Sequence, residues 1–61
     1  MTKNDRINLA RVLANTLDKH SDLTARRAIV DTKDYIADML YESDPNTWGQ
    51  FEEEWRKQML Q

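Results

Sequence analysis

Cysteine is absent from the chain, so neither a disulfide nor a thiolate metal site can reinforce the fold, a usage that fits a reducing compartment. A single histidine, His20, cannot assemble a zinc site by itself. One glycine and one proline are too few for the closely spaced turns of a small β protein, and a lone glycine cannot make a phosphate-binding loop. No apolar run approaches the roughly 20 residues needed to span a bilayer. The opening Met1-Thr2-Lys3-Asn4-Asp5-Arg6 leads into an amphipathic segment rather than the apolar core of a signal peptide, which gives a cytoplasmic expectation.

The 61 residues suffice for one domain, residues 1–61. A domain of this size buries only about 60% of the surface that its unfolded chain exposes. With metals and disulfides set aside, helix packing or self-association must supply the stability. The net charge of −2 is small, but its distribution is uneven. Residues 1–27 hold six basic and three acidic side chains, whereas residues 28–61 hold three basic and eight acidic ones. Such a charge dipole can serve internal packing, antiparallel pairing or a charged partner.

The pattern is helical throughout. Ile7, Ala10, Leu13, Ala14 and Leu17 recur at spacings of three and four, with Leu9 widening the face and Val12 outside it, and predict a helix over about 4–20. Thr2 or Asn4 can cap it. Ser21, Asp22 and Thr24 are capping types that break and restart the chain, opening a second helix over about 23–42. Its main apolar face reads as Ala25, Ala28, Ile29, Thr32, Tyr35, Ile36, Met39 and Leu40. Val30, Ala37 and Tyr41 form a narrower second stripe, and Asp31, Asp34, Asp38 and Glu42 an acidic ridge beside it. Asp44-Pro45 combines an N-cap with proline at the first helical position, and Thr47 with Gln50 has the spacing of a competing capping box. A third helix over about 46–60 follows, with Trp48, Phe51, Trp55 and Met59 on one face and Glu52–Arg56 and Glu53–Lys57 as i,i+4 pairs. These elements predict an all-α fold of three amphipathic helices in a small bundle, completed by dimerisation. The short turn makes the first two helices neighbours, and an alternative docks the third helix on a second chain.

The catalytic inventory is thin. His20, Ser21 and Asp22 are adjacent in sequence, and adjacency does not make a nucleophile–base–orienter geometry. The acidic ridge reads as a solvated face or as a contact for a basic partner, because the glycine-centred calcium loop is missing. Arg26, Arg27 and Lys33 near the start of the second helix suggest a helix-turn-helix reader of DNA, with Arg27 one turn from Asp31 and paired with it. The isoelectric point near 5.2 disfavours nucleic acid, since a basic footprint is expected of such proteins. The aromatic stripe is the most informative feature. It is either monomer core or a contact surface, because tryptophan and tyrosine are favoured in binding hot spots.

The opening Met1-Thr2-Lys3-Asn4-Asp5-Arg6-Ile7-Asn8-Leu9-Ala10 and the closing Trp48-Gly49-Gln50-Phe51-Glu52-Glu53-Glu54-Trp55 resemble small accessory proteins encoded in the early region of lambda-like phages. That resemblance implies a protein made early in infection, in the host cytoplasm, that tilts development towards lysis by acting on host or phage regulators. The group shares no active site, so it assigns no functional residue.

The sequence therefore predicts a non-enzymatic protein–protein interaction module. Expected partners are a second copy of the chain and a host or phage protein, with no cofactor or metal and no membrane. The expected contact residues are Trp48, Phe51, Trp55, Met59, Val30, Tyr41, Asp34 and Asp38. The alternative, a small DNA-binding regulator, would use Arg26, Arg27 and Lys33.

Overall fold

A computed structural model describes residues 1–61. Three helices follow one another with short connections: α1 (Lys3–Lys19), α2 (Leu23–Ser43) and α3 (Pro45–Met59). Each begins where a side chain satisfies the free amide groups of a first helical turn. Thr2 and Asp5 form a reciprocal capping box on α1, at 3.1 and 3.2 Å. The Asp22 carboxylate accepts from the Ala25 amide at 2.9 Å, and Asp44 accepts from the Thr47 amide at 3.4 Å. Pro45 occupies the first turn of α3, where its missing N–H costs nothing. The pairing of Thr47 with Gln50 is not used. Thr47 is buried, and its hydroxyl donates to Asp44.

The helices pack as a three-helix bundle of 32 × 21 × 19 Å. Ala10, Ala37, Leu40 and Phe51 form its centre, with Leu9, Leu13, Ile36, Trp48 and Trp55 packed around them. Phe51 and the two alanines Ala10 and Ala14 have no exposed surface. Alanines four apart on α1 let α3 approach closely, so α1 and α3 share the most extensive interface. α1 and α2 are neighbours, as the short turn implies, but they make the sparsest contact of the three pairs. The alternative in which the third helix docks elsewhere is corrected, since α3 folds back onto its own chain.

The face that α2 buries is corrected in part: Leu40 is in the core and Ile36 packs against it, as expected, but the face is shifted. Lys33, Ala37 and Leu40 are its buried residues, flanked by the part-buried Arg26, Ile29 and Ile36. The helix is thus rotated relative to the expectation. Ala37, assigned to the minor stripe, is core, whereas Tyr35 and Met39, assigned to the main face, are 67% and 52% exposed. Phe51 and the alanines of α1 draw in the alanine at 37, whose small side chain suits a crowded crossing. No helix is long and apolar enough to cross a membrane.

Candidate functional site

Lys33 shows how α2 and α3 are joined. Its side chain is only 10% exposed, and its ammonium lies 2.7 Å from Glu52 Oε1 and 3.8 Å from Asp34 Oδ1. It also sits 5.4 Å from the centre of the Trp55 ring, within reach of a cation–π attraction. The expectation that Lys33 could contact nucleic acid is therefore corrected, because its charge is already satisfied beneath an indole. Arg26 is engaged too. One guanidinium nitrogen donates to the carbonyls of Leu17 and His20, both at 2.8 Å, closing the C-terminal end of α1. Arg27 is exposed and makes no ion pair with Asp31, contrary to expectation. Glu52–Arg56 and Glu53–Lys57 make no ion pair either, since Glu52 turns to Lys33 instead.

The aromatic stripe divides. Phe51 is wholly inside the monomer, so its assignment to a partner contact is corrected: no atom of it reaches the surface. Trp48 and Trp55 are part-buried against the core cluster, and Tyr41 covers Trp48 edge-on, with ring centroids 5.0 Å apart at 80°. Met59 and Val30 remain at the surface, as do Asp34 and Asp38.

Two part-buried carboxylates have specific partners. The Thr47 hydroxyl and amide hold the Asp44 carboxyl below the usual carboxylate range, with help from Arg6, 3.6 Å away. The Gln58 amide, 2.7 Å away, and then Arg11 lower that of Glu54. Both groups join helices, Asp44 linking the start of α3 to α1 and Glu54 linking α3 to Arg11 at 3.6 Å. His20, Ser21 and Asp22 lie exposed in the α1–α2 turn, where the Asp22 carboxylate serves as a cap. No three histidine, aspartate or glutamate side chains gather as ligands for a metal ion.

One side of α1 and α2 is apolar, in part packed against the core through Leu9, Leu13 and Ile36 and in part exposed at Val12 and Met39. On α1 it comprises Leu9, Val12, Leu13 and Thr16. On α2 it comprises Ala25, Ala28, Ile29, Thr32, Ile36 and Met39, with Tyr35 at the border. These positions share one side of each helix by the 3.6-residue period. Between Leu9 and Thr16, and between Ala25 and Ser43, this side carries no charged residue. At one end it deepens into a cleft of about 600 Å³ where Leu9, Ile36, Met39 and Leu40 lie beside Met1, Ser43 and the charged Arg6 and Asp44. Its hydroxyls are turned inward. Thr16 donates to the Val12 carbonyl at 2.7 Å, Thr32 to that of Ala28 at 2.8 Å, and Ser43 to that of Met39 at 2.8 Å. The surface thus offers methyl and methylene groups with its hydroxyl protons already bonded. The sequence contained this signal in the apolar positions of α2, but their assignment to the core concealed its meaning.

No protein-family model matches the chain, and no curated protein and no solved structure proved similar to it.

Proposed function

We propose that the chain is a non-enzymatic protein-interaction module whose contact surface is the uncharged side of α1 and α2. The observation that carries this reading is the coincidence of three properties on one face. It is apolar, it lacks charge over most of two helices, and its threonines bond internally. Contiguous apolar surface on a small soluble chain usually marks a contact. Val12 at 50% and Met39 at 52% exposure would lose water on docking, at about 25 cal/mol per Å² of apolar area covered. Action on a host or phage regulator accords with the resemblance to early-region phage accessory proteins.

The DNA-binding reading is weaker. Two of its three basic residues are committed, Lys33 to Glu52 and Arg26 to the end of α1. Arg27 alone neutralises too little phosphate for useful affinity. The two readings separate in one comparison. The immobilised chain and its Val12→Glu/Met39→Glu variant are exposed to nuclease-treated extract of the natural host. A protein retained by the parent and lost from the variant supports the module. Salt-sensitive retardation of duplex DNA that Arg27→Ala abolishes would overturn it.

A further inference from the structure

We propose that the groove between α2 and α3 docks a basic segment of another protein, one of whose arginines stacks on Tyr41 and pairs with Asp38. This groove lies on a different side of α2 from the uncharged face and does not rest on the reading of that face.

The groove already binds one cation, the chain's own Lys33. That ammonium lies 5.4 Å from the centre of the Trp55 ring and is met by Glu52 at 2.7 Å and Asp34 at 3.8 Å, so an indole and carboxylates together hold a positive charge here. Trp48 precedes Trp55 by two turns on the same side of α3. It meets the edge of Tyr41, with ring centroids 5.0 Å apart, and no cation. Tyr41 is 60% exposed, so its ring is open to a group arriving from outside. Asp38 stands one turn before Tyr41 and Asp34 one turn before Asp38, both exposed, and the helical period sets their carboxylates beside that ring. An aromatic face attracts a cation within about 6 Å, and a carboxylate takes a guanidinium in a two-pronged contact. The Tyr41 end of the groove thus repeats the ring and carboxylates of the Trp55 end without the cation.

Charge fixes the sign of the partner. Residues 34–55 contain seven acidic residues and no lysine, arginine or histidine. Three of the acids, Asp44, Glu52 and Glu54, face Arg6, Lys33 and Arg11. Asp34 has only the longer contact with Lys33, and Asp38, Glu42 and Glu53 meet no cation. The cations nearest the groove are committed or stand at its ends. Arg6 and Lys3 lie by Asp44, Arg56 follows Trp55 at the far end, and Arg27 is about 20 Å from Tyr41 along α2. The last turn of α2 holds no basic residue, unlike those of α1 and α3, so the negative end of its dipole adds to the same field. A phosphate-bearing partner would be repelled by that field, because nucleic acid is bound through cations. Arginine suits the groove better than lysine, for its planar head both stacks on a ring and spans a carboxylate.

Calorimetric titration at low salt with a short peptide of alternating arginine and glycine is the test, beside its lysine–glycine counterpart, on chains of unchanged helical circular dichroism. The parent should bind the arginine peptide saturably and about two- to fivefold more tightly than the lysine peptide. Asp34→Asn/Asp38→Asn should weaken binding about two- to tenfold, as expected for the loss of two exposed charge pairs. Tyr41→Ala should weaken it about two- to fivefold, and Tyr41→Phe, which keeps the ring, should not. Asp18→Asn/Glu53→Gln, which removes the same charge outside the groove, should bind like the parent. Absence of saturable binding overturns the proposal. Equal affinity for the two peptides, or equal weakening by the two charge-matched double variants, also overturns it, since either means that net charge alone is read. Unchanged affinity of Tyr41→Ala overturns the stacking contact and the proposal with it. Sedimentation equilibrium covers a second copy as occupant: a parent of twice the 7.3 kDa chain mass that Asp34→Asn/Asp38→Asn dissociates overturns the assignment to another protein.

Discussion

Lys33 and Glu52 meet at 2.7 Å across the α2–α3 interface, and the same ammonium lies 5.4 Å from the centre of the Trp55 ring. Around this lysine, which is 8% exposed, carboxylate and indole stand where water would otherwise surround the ammonium. Removing one partner of a buried pair costs more than the pair itself contributes. With Glu52 retaining 23% side-chain exposure, the loss here is partial. Lys33→Ala should lower stability by about 1–3 kcal/mol, while Lys33→Met, which keeps the aliphatic stem against Trp55, should lose less. Urea unfolding of the two variants checks the ordering. Equal losses would mean that the stem contributes nothing.

Phe51 is the one large apolar side chain with no surface exposure. Phe→Ala in a core costs about 3–5 kcal/mol. A chain of this length has only about 3–9 kcal/mol to lose. Phe51→Ala should therefore be largely unfolded at 37 °C by circular dichroism. Met59→Ala, on the same face but 37% exposed, should remain folded with a loss under about 1 kcal/mol.

Gly49 lies in α3 beside open space, and a β-carbon at that position would meet no neighbouring atom within 4 Å. Alanine fits there without strain and reduces the freedom of the unfolded chain. Gly49→Ala should stabilise by about 0.4–1 kcal/mol, raising the thermal midpoint by a few degrees. An unchanged or lowered midpoint would show that this part of α3 has to yield in the folded protein.

The three helices and their starts were legible in the residues because caps and periodicity act locally. Thr2, Asp22 and Asp44 each stand one residue before a helix, and all ends agree with expectation to within one residue. The orientation of α2 was not legible. Its apolar positions exceed one face, so periodicity admits two rotations. The choice falls to Phe51 and Ala10, distant in sequence, which favour the small Ala37. Lys33 escaped for a related reason: a lysine enters a core only where a carboxylate and a ring wait for it, and Glu52 and Trp55 lie about twenty residues away. The uncharged side of α1 and α2 became visible only when the core was known to lie on the other side.

Arg26 donates to two carbonyls at the end of α1, so its planar, multiply donating head spans acceptors that a single ammonium cannot bridge as well. Arg26→Ala should cost about 1–2 kcal/mol, and Arg26→Lys should recover only part of it. Hydrogen exchange locates the effect. The amides at the C-terminal end of α1 and in the 20–22 turn should lose protection, and those of α3 should not. Uniform loss across the chain would mean that Arg26 acts through global stability alone.

Asp44 joins three parts of the molecule: it caps α3, accepts from the Thr47 hydroxyl and faces Arg6 of α1. Its carboxyl is held below the ordinary value by those contacts, and that of Glu54 is lowered by Gln58 and Arg11. A group whose pKa is depressed by folding adds stability that is fully present above its unfolded value and is lost as pH falls through the folded one. The parent chain should therefore unfold more readily as pH drops below about 4, with little change from pH 5 to 7 arising from these two groups. Asp44→Asn can still cap the helix but cannot titrate. It should be less stable than the parent at pH 7 and closer to it at pH 3. Denaturant midpoints of both chains between pH 3 and 7 measure that convergence, and parallel curves would mean that Asp44 holds α3 without its charge.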